Sequence, residues 1–110
     1  MTKILAMDVD LTLTKEECWT AEECLDATPN QEMIEKMEEI FHKWYIVIST
    51  ARRMDRLAVP TLKWLYANHV PFNGIDFRKT ACDILIDDKA FRPEEFLKMD
   101  LMGSLYDREP

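Results

Sequence analysis

Two pairs of aspartates stand directly after apolar runs of the sequence. Asp8 and Asp10 follow the run at 4–7, and Asp87 and Asp88 follow a run that ends at Ile86. Apolar runs without alternation are typical of strands buried on both faces of a parallel sheet. Carboxylates gathered at one sheet edge repel one another, and a hard divalent cation relieves that repulsion. Because oxygen ligands suit Mg²⁺, these four residues predict a magnesium site.

A carboxylate beside such a cation can attack phosphorus and form an aspartyl phosphate, and Asp8 is the candidate nucleophile. Asp10 comes two residues later, so in extended chain both side chains lie on the same side. Its carboxyl group could protonate a leaving alkoxide and then deprotonate the attacking water. Thr50 follows a further apolar run and Lys79 precedes the last one. A hydroxyl donor and an ammonium group there could bind the phosphoryl oxygens.

Each of these residues alone has a simpler explanation. An Asp pair after a strand can cap a turn or helix, a Thr such as Thr50 is often an N-cap, and a single Lys is usually solvated. The functional interpretation rests on the combination, in which each member falls at or near the end of a predicted strand. A response-regulator receiver domain is disfavoured, because its phosphorylated Asp would stand where this chain has Thr50.

The first helix is predicted to begin at 28–31. Thr28 could cap it, Pro29 fits the first helical position, and Gln31 completes a capping box. The apolar residues that follow recur at helical spacing and predict one amphipathic face: Met33, Ile34, Met37, Ile40, Phe41 and Trp44.

The remaining segments continue the alternation of strands and helices. A strand is predicted at 45–49, a helix at 57–68 with Pro60 near its start and Leu62, Leu65 and Tyr66 inward, a short strand within 72–77, a strand at 82–86 and a short helix from Arg92. This order predicts an α/β fold with a parallel sheet and right-handed crossovers. Ligands of such sheets bind beyond the carboxyl ends of the strands, where the aspartates and Thr50 are expected.

Length and composition predict one compact domain at 1–110. The chain is 47% hydrophobic, has only two glycines and carries a formal net charge of −7. With so few glycines, the chain cannot form a glycine-rich P-loop or dinucleotide-binding loop. Its negative net charge argues against nucleic acid and membrane surfaces as partners. No apolar run is long enough for a membrane span or a signal peptide, so we expect a cytoplasmic protein. The odd count of three cysteines indicates reduced thiols.

These motifs, in this order, resemble those of the haloacid dehalogenase (HAD) superfamily of phosphatases. Residues 8–12 are similar to motif one, Thr50 to motif two, Lys79 to motif three, and Asp87 with Asp88 to motif four. The resemblance spans 4–91 and implies a Rossmann-like, three-layer domain that hydrolyses phosphomonoesters.

The resemblance also implies roles for individual residues. Asp8, the backbone carbonyl of Asp10, and Asp87 would hold Mg²⁺, with Asp88 in support. Asp8 would attack phosphorus and Asp10 would be the general acid and base. Four residues would bind the substrate's phosphoryl or other anionic groups: Thr12, Thr50, Arg52 and Lys79.

Segments 61–65, 77–79 and 83–90 look similar to small HAD proteins associated with capsular polysaccharide biosynthesis. Lys63 is the alternative to Lys79 for motif three. It lies 24 residues before Asp87 and on a predicted helix, whereas Lys79 lies 8 residues before it, so Lys79 is preferred.

The spacing leaves no room for a cap domain. Between Asp10 and Thr50 there are 39 residues, and between Thr50 and Asp87 there are 36. Residues 13–27 can supply only a small flap, in which Trp19 either contacts substrate or anchors the flap to the core. An open site could admit a sugar phosphate or a larger phosphorylated molecule, or be closed by a second subunit of a homo-oligomer. Arg52 and Arg53 could touch a distal anionic group or form ordinary ion pairs.

Three functions remain open. The leading one is a Mg²⁺-dependent phosphomonoesterase. A polynucleotide end phosphatase, as some capless relatives are, is weakened by the acidic balance. A module that binds Mg²⁺ or phosphate without turnover would be expected to lack the nucleophile or the acid/base, and both Asp8 and Asp10 are present.

Overall fold

The computed structural model describes residues 3–78, 84–86 and 92–102. In chain order its elements are β1 (Lys3–Met7), α1 (Ala21–Asp26), α2 (Gln31–Ile40), β2 (Trp44–Ser49), α3 (Met54–Ala67), β3 (Gly74–Asp76), β4 (Ile84–Ile86) and α4 (Pro93–Lys98). The strands form one four-stranded sheet of order β3-β2-β1-β4, and every pairing is parallel. The prediction of an α/β fold with a parallel sheet is confirmed, and the topology is compatible with a Rossmann-like fold.

β1 is an inner strand, and its sequence explains its position. Leu5, Ala6 and Met7 are all fully buried. Because successive side chains of a strand point to opposite faces, both faces of β1 are covered. Helix α1 packs against α3, and α2 packs against α4. Covered faces on both sides of β1 are what a three-layer arrangement requires.

The order in which strands are added to the sheet reverses at β1. The chain passes from β1 to β2 and β3 on one side, and β4 then pairs with the other edge of β1. Just past this pairing, the Asp8 N–H donates to the Ile86 carbonyl at 3.0 Å. A crevice at the carboxyl ends of strands, next to such a switch point, is where ligands of open parallel sheets bind.

Helix α2 begins later than the sequence predicts. Its N-cap is Asn30, whose side chain accepts from the Met33 N–H at 3.4 Å. Pro29 forms an isolated bridge with Thr14, and the Asn30 N–H donates to the Leu13 carbonyl at 2.7 Å. These contacts hold the chain extended, so the predicted capping box of Thr28 and Gln31 is wrong.

Helix α3 begins at Met54, three residues before its predicted start, and it contains Pro60 in its interior. Its inward face also differs from the prediction. Tyr66 is 67% exposed, whereas Trp64 is buried and donates from Nε1 to the Ala27 carbonyl at 2.9 Å. Leu65 is buried, as predicted.

The other elements agree with the sequence to within a few residues. Strand β1, the short strand β3 and the short helix α4 fall where they were expected. Strand β2 starts one residue early, at Trp44, which was predicted on the face of the helix that ends at Ile40. Of the strand predicted at 82–86, residues 84–86 are described and form β4. Within the described part of the chain, no helix is both long enough and apolar enough to cross a membrane. The single-domain and capless arrangement stays a prediction.

Candidate functional site

A cavity of about 470 Å³ opens beyond the carboxyl ends of β1 and β2. It is bounded by the residues after β1, by the flap (residues 13–27) and by the chain that enters α3. Its lining residues are Asp8, Asp10, Leu11, Glu17, Cys18, Trp19, Ala51, Arg52, Arg53, Arg56 and Leu57. The structure therefore brings Asp8, Asp10 and Arg52, three of the predicted site residues, to one cavity.

An ion pair between Asp10 and Arg52 joins the two strand ends. Arg52 donates from Nη2 to Asp10 Oδ1 at 2.9 Å and from Nε to Asp10 Oδ2 at 3.1 Å. Only 2% of the Arg52 side chain is exposed, against 21% of the Asp10 side chain. Burial acts against the charge of Arg52, but the hydrogen bonds and negative charge of Asp10 outweigh it and raise the pKa of the guanidinium. Bidentate geometry of this kind fixes the orientation of both groups.

Neighbouring residues hold Arg52 in place. Its backbone N–H donates to Thr50 Oγ1 at 3.1 Å, and its Nη1 donates to Thr61 Oγ1 on α3 at 2.9 Å. The Thr50 N–H donates to the Asp76 carbonyl at the end of β3, at 3.0 Å. Thr50 is itself buried and is not among the lining residues of the cavity. In this arrangement its hydroxyl orders the turn after β2.

The turn after β1 is built around a single carbonyl group. The N–H groups of Thr12, Leu13 and Thr14 all lie within 3.2 Å of the Val9 carbonyl oxygen. Leu11 adopts a φ of 60°, the left-handed region that favours glycine. Thr12 is fully buried, and its hydroxyl has no hydrogen-bond partner among the described residues. The turn therefore brings Asp10 to the cavity and turns Thr12 away from it.

The flap is held to the site by its cysteines. The Cys18 N–H donates to Asp10 Oδ1 at 2.9 Å, and Cys18 and Cys24 are buried free thiols. Burial raises the pKa of the Cys18 thiol to about 11 and raises that of Cys24 as well. Short helix α1 lies within the flap. Trp19, at 74% exposure, does not anchor the flap to the core.

Glu23 fixes the entry to α1. Its carboxylate accepts from the N–H groups of Trp19 at 2.8 Å and Thr20 at 3.0 Å, and Thr20 Oγ1 accepts in return from the Glu23 N–H. This capping box satisfies N–H groups that a helix start leaves unpaired. The hydrogen bonds from Trp19 and Thr20 lower the pKa of the Glu23 carboxyl.

The predicted metal ligands fall partly within the described residues. Asp8 supplies a carboxylate to the cavity wall, which is the donor chemistry that Mg²⁺ prefers. The Asp10 carboxylate is occupied by Arg52 and Cys18, which leaves its backbone carbonyl for a cation. Lys79, Asp87 and Asp88 lie outside the described residues. In the ranges that are described, no three metal-binding side chains form a cluster.

Several lining residues were not predicted from the sequence. Glu17, Arg56 and Leu57 line the cavity, but only residues up to Arg53 were considered as ligands on this side. Arg56 was missed because α3 was predicted to begin at Leu57. A helix that begins at Met54 places Arg53 and Arg56 three positions apart, on one side of its first turn.

Comparison with known proteins supports the fold but not a family. No protein-family model matches the chain, and no curated protein does. A solved structure, that of the Pnkp1/Rnl/Hen1 RNA repair complex, contains a chain that matches with a TM-score of 0.58 and 13% sequence identity. The match covers 92% of this chain and 31% of that chain, so this protein spans about a third of the neighbour's length. At this identity the likeness shows a shared fold alone.

The comparisons also bear on two of the expectations. Nothing in them supports the link to capsular polysaccharide proteins. They give no support either to the expectation that nucleic acid is disfavoured as a partner.

Proposed function

We propose that this protein is a Mg²⁺-dependent phosphohydrolase of the HAD type that acts on phosphomonoesters through Asp8. The observation that supports this most is the joint position of Asp8 and Asp10 in one cavity at the carboxyl edge of the sheet. Asp10 is held there by three hydrogen bonds, so that a nucleophile and a proton-transfer group share a pocket large enough for a phosphate ester.

The reaction would take place in two steps. A carboxylate oxygen of Asp8 attacks phosphorus, and the bond from phosphorus to the ester oxygen breaks. Asp10 enters this step carrying a proton taken up from solvent, and it gives that proton to the departing alkoxide. Water then attacks the aspartyl phosphate, Asp10 takes the proton from that water, and inorganic phosphate leaves as the Asp8 carboxylate is restored. Each residue returns to its starting state, as catalysis requires.

The geometry of Asp10 suits this double role. A carboxylate has about four lone-pair positions, and three are used by Arg52 Nη2, Arg52 Nε and the Cys18 N–H. The remaining position lies on Oδ2. A proton can be held or accepted there without breaking the contacts with Arg52. Arg52 would therefore act as a positioning residue for Asp10, since its Nε and Nη2 donate to Asp10 and its Nη1 donates to Thr61.

Asp8, the Asp10 carbonyl, Asp87 and Asp88 would hold Mg²⁺, and Thr50 and Lys79 would bind phosphoryl oxygens. The cation would supply positive charge that offsets the repulsion between a phosphate dianion and the Asp8 carboxylate. The described part of this donor set fits a hard cation. Thr12 is buried and is not among the lining residues of the cavity, so it would pack in the turn and not bind the substrate.

The test is phosphate release from a panel of small phosphomonoesters with Mg²⁺ and with a chelator. We expect release that depends on the metal and is lost in Asp8→Asn. Asp100→Asn, an exposed aspartate outside the cavity, is the matched control and should release phosphate at the native rate. Equal release from Asp8→Asn and the native chain would rule out Asp8 as the nucleophile.

A polynucleotide end phosphatase is the second candidate. It is favoured by the fold shared with a chain of an RNA repair complex. The acidic net charge of −7 disfavours long nucleic acid, but it does not prevent a single phosphorylated end from entering a locally cationic cavity. Oligonucleotides with a terminal phosphate therefore belong in the same panel. A module without turnover would bind phosphate but release none from any substrate.

A further inference from the structure

Trp19, Arg53 and Arg56 line the same cavity as Asp8, and we call these three residues the rim. We propose that the rim binds a nucleotide leaving group, with the base stacked on Trp19 and a second phosphate held by Arg56. This inference rests on the proposed phosphohydrolase function and adds the class of substrate to it.

Trp19 differs from the other two tryptophans of the chain. Trp44 and Trp64 are buried and donate their indole N–H groups to backbone carbonyls at 3.0 and 2.9 Å. Trp19 leaves most of its ring in solvent, although its backbone is fixed by the hydrogen bond to Glu23. A large aromatic surface displayed from a fixed backbone beside a cavity is a feature of binding sites for flat ligands.

The arginines around the cavity have different roles. Arg52 donates from all three of its guanidinium nitrogens to Asp10 and Thr61, and exposed Arg53 is paired with Asp55 at 2.9 Å. Arg56 is exposed, lines the cavity and makes no ion pair with any other described residue. Its guanidinium can therefore bind a phosphate group without breaking an ion pair, and arginine binds phosphate with two parallel hydrogen bonds.

An exposed indole at Trp19 and an available guanidinium at Arg56 would favour some phosphate esters over others. A nucleotide that carries a second phosphate, or the end of an oligonucleotide, offers both an aromatic base and a further anionic group. A simple sugar phosphate or glycerol phosphate offers neither. The charge of the rest of the protein limits the contact to the end of a chain, because a long polyanion would approach an acidic surface.

The first test is a binding measurement that needs no turnover. The Asp8→Asn variant is titrated with a dinucleotide that carries a terminal 3′- or 5′-phosphate, and tryptophan fluorescence is recorded. We expect the exposed Trp19 emission to be quenched, with the buried Trp44 and Trp64 as an internal reference. Adding Trp19→Ala should abolish the change, and adding Tyr66→Ala, an exposed aromatic outside the cavity, should not.

The second test compares kcat/KM for three substrates: glycerol 2-phosphate, a nucleoside monophosphate and the phosphorylated dinucleotide. Trp19→Ala should lower the ratio of nucleoside monophosphate to glycerol 2-phosphate by about 5- to 150-fold, the range that loss of one base stack produces. Arg56→Ala should lower the ratio of dinucleotide to nucleoside monophosphate. Lys98→Ala, an exposed cation on α4, is the control that should change neither ratio.

The two tests separate the inference from the function on which it rests. If no substrate is hydrolysed, the proposed function fails, and the fluorescence titration still decides whether the rim binds nucleotides. If glycerol 2-phosphate is hydrolysed but the ratios are the same in Trp19→Ala and native protein, the rim assignment is overturned. Fluorescence quenching that persists in the Trp19→Ala background would overturn it as well.

Discussion

Removing Arg52 should destabilise the whole fold, because it leaves the Asp10 carboxylate without its cation. Arg52→Ala also removes the donor to Thr61 and opens a void where a buried side chain stood. Loss of one partner of a buried ion pair costs about 3–5 kcal/mol. Because Asp10 is 21% exposed and can be hydrated from the cavity, we expect the lower end, about 3 kcal/mol.

Urea unfolding followed by circular dichroism measures this loss. With a denaturant slope of about 1.5 kcal/mol per molar, a loss of about 3 kcal/mol lowers the midpoint by about 2 M. Arg53→Ala is the matched control, since its pair with Asp55 is exposed at both ends and should contribute nothing measurable. Arg52→Lys keeps the charge but loses the bidentate geometry, so its midpoint should fall between those of native protein and Arg52→Ala.

A double-mutant cycle isolates the pair from the packing of Arg52. In the Asp10→Asn background, replacing Arg52 by Met should cost less than it does in the native background, because no carboxylate is then left unpaired. An Arg52→Ala midpoint within about 0.3 M of native, equivalent to about 0.5 kcal/mol, would refute the assignment of Asp10 and Arg52 as a buried pair. Equal costs in both backgrounds would refute it too.

Three further predictions concern the turn and the flap. Thr12→Val should raise the free energy of unfolding by about 1 kcal/mol in the same urea assay, because it removes a buried hydroxyl without a described partner. A lower free energy of unfolding in this variant would show that the hydroxyl makes a hydrogen bond. Cys18, with its pKa raised to about 11, should react with a thiol reagent at pH 7.5 on the order of 100-fold more slowly in folded than in unfolded protein, as mapped by mass spectrometry. Rapid labelling of the folded protein would contradict that value. The lowered pKa of Glu23 means that its carboxylate stabilises the flap fully above its unfolded pKa of 4.5, and that this contribution is lost as the pH falls through the lowered value. Trp19 fluorescence should report this change in native protein, and Glu23→Gln should remove it.

The backbone features that can be predicted from sequence here are those set by local pattern. The bounds of β1 match because a continuous apolar run is ended by Asp8, and the parallel sheet follows from the alternation of strands and helices. The position of Asp8 and Asp10 at the sheet edge follows in turn, since the carboxyl ends of parallel strands meet there.

Features decided by long-range contacts could not be predicted in the same way. The start of α2 depends on the bridge between Thr14 and Pro29, which competes with a locally reasonable cap at Thr28. The inward face of α3 depends on Trp64 reaching the Ala27 carbonyl, 37 residues away in sequence. Local spacing alone does not specify either contact.

In the candidate site too, residues placed by local pattern could be predicted and residues placed by long-range contacts could not. Arg52 was considered only for binding an anion or forming an ordinary ion pair, because nothing in the sequence indicates that the next strand end delivers it to Asp10, 42 residues away. The burial of Thr12 follows from the tight turn around the Val9 carbonyl, which the residue types do not specify. Arg56 could have been found, because an earlier start of α3 would have placed it beside Arg53.

The central claim is that Asp8 becomes phosphorylated during turnover. The most direct measurement is to quench the Mg²⁺-dependent reaction with acid, reduce the protein with borohydride and sequence its peptides by mass spectrometry. An acyl phosphate at Asp8 would be reduced to homoserine at that position, and Asp8→Asn protein would yield none. Sustained phosphate release with unmodified Asp8, or with homoserine at a different aspartate, would contradict the account.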